Sequence, residues 1–199
     1  MIPKIRFRYS SIYDSTYRNS KFIKKLLKER NESYPSQKKI LKYISQIKPI
    51  WEKQEKKIFK ELSKITGLKW KEKEIICYVI GFGRGLSDPL TMKLYKNKND
   101  FIDTLTHELI HQIQFQNEKK WPKWRKHLSK KYKKESRSTK SHISVHAINK
   151  KIYLRLFNKN RLKRDIKRCQ KFLDYKLAWE VVEEEGHENI IKKFRELTK

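Results

Sequence analysis

The sequence predicts an α+β fold: a small mixed or antiparallel sheet with one motif-bearing helix, surrounded by N- and C-terminal helices. Three observations carry this. Residues 19–66 and 142–199 repeat apolar side chains at helical spacing. Residues 74–95 hold a short β-branched run and a second, alternating one, separated by glycines. Directly after them, one amphipathic stretch ending near Asn117 carries the most distinctive spacing in the chain.

In chain order, Ile2, Ile5, Phe7, Tyr9 and Ile12 alternate within residues 2–17, a weak period-two signal for a first strand. A helix begins near Asn19, with Phe22, Ile23, Leu26 and Leu27 on one face, and ends at Ser33 or Pro35. A second, with Ile40, Leu41, Ile44 and Ile47, stops before Pro49. A third runs from Ile50 to Ile65, with Gly67 as its stop. Residues 1–70 therefore form an N-terminal strand and helices. In residues 71–117, Glu74–Ile80 is a buried strand and Gly81–Gly85 a flexible turn, without the Lys-Ser/Thr of a phosphate loop. Pro89–Tyr95 is a second strand, and Asn99 or Asp100 caps the helix that follows. Residues 118–141 are a basic connection, and residues 142–199 hold the C-terminal helices, the last but one ended by Gly186. The length suits one domain over 1–199.

Composition narrows the function classes. Hydrophobic and charged residues each make up 37%, but 12% aromatics leave enough apolar area for a core. The net charge of +29 points to a nucleic acid or another polyanion as partner, or to a compositional bias toward lysine with no partner. Within Lys119–Lys140 stand 11 Lys/Arg and one acid, Glu135, interleaved with Trp121, Trp124 and Tyr132. Cations there can neutralise phosphates while the aromatics either stack on bases or tuck against the body. Two cysteines, Cys77 and Cys169, are too few for a disulfide framework. With no apolar leader and no membrane-length run, the expectation is a cytoplasmic protein with no membrane partner. The oligomeric state stays open.

The chemistry lies in His107-Glu108-Leu109-Ile110-His111. Histidines at i and i+4 stand one turn apart on one helical face, so both imidazoles can reach one Zn²⁺. Glu108 lies where its carboxylate can approach an activated water without being a ligand. A chance match in 199 residues with 6 His is on the order of one in a hundred. Leu105, Leu109, Ile110 and Ile113 make the flanks apolar, and two buried histidines with a buried Glu need a compensating partner.

These residues resemble the H-E-x-x-H motif of zincin metallopeptidases. The resemblance implies zinc as cofactor, a peptide or protein substrate, and Glu108 as the general base acting on a zinc-activated water. It also implies that a strand at the sheet edge, Leu90–Tyr95 by order, binds substrate backbone by strand addition.

A catalytic zinc takes three protein ligands. The metzincin extension is absent, because Gln114 and Asn117 stand three and six residues after His111. His146 and His142, again at i and i+4, are candidates. Glu180, which with Glu184 resembles the carboxylate-bearing helix of gluzincins, is another. His127 is similar in spacing to the third histidine of Spartan-type DNA–protein crosslink proteases, though Lys126 and Lys130 flank it. We favour His146, then Glu180, then His142. His142 or Arg84 could stabilise the oxyanion. The expected activity is zinc-dependent peptide hydrolysis; the alternatives are a nucleic-acid-associated protease acting on DNA-bound proteins, or a non-catalytic basic zinc-binding protein.

Overall fold

The β-branched run Glu74–Ile80 forms β2, the strand on which the only sheet is built, with Ile75, Cys77 and Val79 buried at alternate positions. The computed structural model describes all 199 residues and has nine α-helices and four strands, an α+β fold. The chain divides into two compact units, residues 1–57 with 72–112, and residues 58–71 with 113–199.

In the first unit, β1 (Lys4–Arg8) pairs in parallel with β2. On its other side β2 pairs in parallel with β4 (Leu90–Lys93), and β3 (Leu86–Ser87) runs antiparallel along β4. The order β1-β2-β4-β3 makes the sheet mixed. β4, the expected edge strand, is thus paired on both sides, and the edge is the two-residue β3. The glycine-rich stretch reverses the chain after β2, and the turn at Asp88–Pro89 then lays β4 along β3.

The first strand ends earlier than the alternation in residues 2–17 implied. Ser10 caps α1 (Ser11–Arg18), its Oγ accepting the Tyr13 N–H at 3.3 Å. Buried Asp14 on this helix accepts from the Tyr34 hydroxyl at 2.6 Å, the Gly81 N–H at 2.9 Å and Arg18 Nη2 at 3.0 Å. A carboxylate buried with this many donors fastens α1 to the end of β2.

After α2 (Lys21–Glu29), one helix, α3 (Gln37–Thr66), replaces the two expected on either side of Pro49. Ile40, Ile47, Trp51, Ile58 and Leu62 form one continuous fully buried face, while Pro49 sits on the exposed side. Burial of that face outweighs the hydrogen bond Pro49 removes. α4 (Lys98–Phe115) carries the histidine motif. It starts just after Asn97 and not after Asn99 or Asp100: Asn97 Oδ1 accepts the Asn99 N–H at 2.9 Å.

The second unit holds a 3-10 turn (Glu118–Lys120), α5 (Pro122–Lys131), α6 (Arg137–Leu156), α7 (Lys159–Cys169), α8 (Leu173–Glu185) and α9 (His187–Leu197). α6 is its central element: Ile143, Val145, Ala147, Ile148, Ile152 and Tyr153 are all fully buried. Gly186, at φ 79°, makes the sharp corner between α8 and α9. Trp121 and Trp124 pack edge-on against Phe194, with ring centroids 6.0 and 5.5 Å away. Both are therefore core residues and not a stacking surface. No helix is long and apolar enough to cross a membrane.

Candidate metal centre

The side-chain arrangement on α4 follows from its pitch. Phe101, Leu105 and Leu109 are fully buried along one side, and His107 and His111 lie half-buried along another. The two imidazoles stand one turn apart with ring centroids 5.2 Å apart. Glu108 points into the first unit and is 9% exposed. Burial raises its carboxyl from 4.5 to about 7. Its neighbours include fully buried Cys77, whose thiol is pushed up by burial and by the Glu108 charge.

The Glu108 pocket depends on Gly85. A Cβ on that residue would stand 2.9 Å from Thr104 Cγ2 and 3.0 Å from Glu108 Oε1. The glycine-rich stretch, expected to be a flexible connector, is therefore fitted closely against α4. Gln112, next to His111, donates its side-chain amide to the Ser87 carbonyl and so ties β3 to the motif helix. Arg84, the exposed neighbour of Gly85, lies on the same segment.

On α6, His142 Nδ1 lies 2.8 Å from the Ser138 carbonyl oxygen. A carbonyl only accepts, so Nδ1 carries the hydrogen and Nε2 is left with its lone pair. Burial lowers the His142 pKa, which keeps the ring neutral and fit to ligate. The start of α6 is in turn held by Asp174, whose Oδ1 accepts from Ser136 Oγ at 2.7 Å and Thr139 Oγ1 at 3.1 Å. The Tyr175 ring packs 4.2 Å from the His142 ring. His146 is fully buried and stacked on Trp179, at 4.6 Å and 12°.

The ligand atoms of His107, His111 and His142 all lie within 4.8 Å of one another. Three imidazole nitrogens about 3.4 Å apart would occupy three corners of a tetrahedral zinc site, given Zn–N bonds near 2.0–2.1 Å. Three histidine nitrogens brought this close are a donor set of the kind zinc accepts. The third histidine of this cluster is His142, not the favoured His146, whose ring is held one turn further along α6 against Trp179.

Glu180 is exposed and pairs with Lys176 at 3.7 Å, because Ala178, Trp179 and Val182 form the buried side of α8. His127 stacks on Trp124 at 5.5 Å, and its pKa is lowered by burial and by Lys131 and Lys193. Neither belongs to the histidine cluster. Gly85 and the Ser138 carbonyl were not singled out from sequence. Nothing marks a backbone acceptor by residue type, and only the density of glycines before the motif hinted at a close approach. No protein-family model, curated protein or solved structure matches the chain.

Proposed function

We propose that the chain is a zinc metallopeptidase that hydrolyses peptide bonds, with His107, His111 and His142 holding the metal and Glu108 as general base. The observation that carries this is the convergence of three imidazoles beside a buried carboxylate on the same helix. Zinc bound there would supply Lewis acidity, lowering the pKa of water and polarising the scissile carbonyl. Glu108 takes a proton from the attacking water and passes it to the leaving amine. Its raised pKa places it near neutrality, where it can do both. Gly85 and Thr104 fix where its carboxylate stands, and Ser138 fixes the tautomer of His142.

Two buried free thiols, Cys77 and Cys169, go with a reducing, cytoplasmic setting in this reading. Glu108→Gln should retain one equivalent of zinc and abolish cleavage of a casein substrate. Full activity in that variant would refute the assignment of the base. Retained zinc without turnover in the wild type would leave a non-catalytic zinc-binding protein.

A further inference from the structure

α7 has a charge arrangement that the metal site does not use. Residues 159–171 hold seven Lys/Arg and one acid, Asp165. That acid is buried, where it accepts from Asn149 Nδ2 at 3.1 Å and Arg168 Nη2 at 2.5 Å. Leu162 and Cys169 join it on the packed side of the helix. Lys159, Lys163 and Lys167 recur at every fourth position and are exposed, and Lys171 follows just past the C-cap, also exposed.

Three carboxylates of α8 and α9 are engaged with lysines outside α7. Glu183 pairs with Lys150 at 2.7 Å, Glu180 with Lys176 at 3.7 Å, and Glu188 with Lys151. Like charges at i, i+4 repel along a helix, so this row opposes α7 unless an anion covers it.

We propose that the outer face of α7 docks the phosphate backbone of duplex nucleic acid through Lys159, Lys163, Lys167 and Lys171. Lysines four residues apart are separated by about 6 Å along the axis, so the row meets a succession of phosphates rather than a single anion. Lysine presents a point charge without the planar fork that reads base edges, so the contact these four residues make is to phosphate and carries no base readout. Asn160, Lys163, Arg164 and Lys167 all face outward and are polar, so the face has nothing to insert into a lipid surface or stack on unpaired bases. Phe172 and Leu173, exposed beyond the row, provide the control for a membrane. The proposal does not depend on the metal.

The test is fluorescence anisotropy of a labelled 20-base-pair duplex with the full chain between 50 and 200 mM KCl. Four phosphate contacts contribute about 3.6 to the slope of log affinity against log salt. Replacing all four lysines by Gln should remove about that much, shrinking the salt-induced loss of affinity roughly a hundred-fold over this range. The pair Lys163→Gln/Lys167→Gln should remove about half the slope. A charge-matched control, Lys38→Gln, Lys42→Gln, Lys53→Gln and Lys56→Gln on α3, should remove clearly less.

Equal effects from the α7 and α3 sets would overturn the proposal, since net charge alone would then suffice. So would absence of duplex binding at 50 mM KCl. Binding to phosphatidylserine vesicles that is lost in Phe172→Ala/Leu173→Ser, with duplex affinity unchanged by the α7 set, would assign the face to a membrane instead.

Discussion

Gly85→Ala is the substitution whose effect the structure defines most closely. The added Cβ would sit 2.9 Å from Thr104 Cγ2 and 3.0 Å from Glu108 Oε1. Unstrained carbon contacts are about 3.5–4.0 Å, so relief requires a shift of at least about 0.5 Å. Thr104 resists, because its β-branched χ1 is stiff and its hydroxyl donates to the Asp100 carbonyl at 2.9 Å. Glu108 has more freedom but is buried, so the carboxylate moves within a packed pocket. Overpacking of this kind costs about 1–3 kcal/mol. On the proposed mechanism, displacing the Glu108 carboxylate by a fraction of an ångström should lower turnover by about ten- to a hundred-fold. The histidines are untouched, so zinc content should not change.

Urea denaturation, metal analysis and peptidase assays on the same preparation separate these effects. Thr104→Ser removes Cγ2 while keeping the hydroxyl. In the Gly85→Ala background it should recover part of the stability and little of the activity, because the Glu108 contact remains. A Gly85→Ala protein with wild-type urea midpoint and wild-type turnover would refute the close-approach argument.

Other consequences are measurable. Because burial raises Glu108 from 4.5 to about 7, its ionised form is the disfavoured one. Metal-free protein should therefore lose about 3 kcal/mol of stability as pH rises from about 4.5 to about 7, and stay level above that. Glu108→Gln should abolish this slope in urea titrations at pH 4.5 and 8, and parallel curves for the two proteins would contradict it. Pro49 lies inside α3 on its exposed side, so Pro49→Ala should stabilise by about 1–3 kcal/mol, read as a higher thermal midpoint. An unchanged or lower midpoint would contradict that account.

Much of the fold could be read from local patterns. The β-branched run at Glu74–Ile80 became β2 with those bounds, and the α+β class follows from its contrast with the helical stretches on either side. The failures occurred where tertiary packing overrode local preference. Pro49 predicted a break, yet the buried face from Ile40 to Leu62 carries α3 straight through it. β4 was expected to be an edge because strand order is not encoded in spacing, and β3 at two residues is too short to show a period.

In the site, His107, Glu108 and His111 lie within five residues of one helix, so helical pitch alone determines their arrangement. The third histidine depends on a tertiary contact. His142 and His146 have the same spacing and similar apolar neighbours, and what separates them is Ser138 beneath one ring and Trp179 against the other. The Trp121 and Trp124 signal had two readings, base stacking or packing, and Phe194 decides for packing.

In the proposed site, His107, His111 and His142 are the protein ligands of one zinc ion. Zinc stoichiometry by elemental analysis, with X-ray absorption at the zinc edge, tests it most directly. One equivalent is expected in the wild type and in His146→Ala, with three imidazole nitrogens bound to the metal, and loss of metal in His107→Ala, His111→Ala and His142→Ala. Full zinc occupancy in His142→Ala, with loss in His146→Ala, would contradict it.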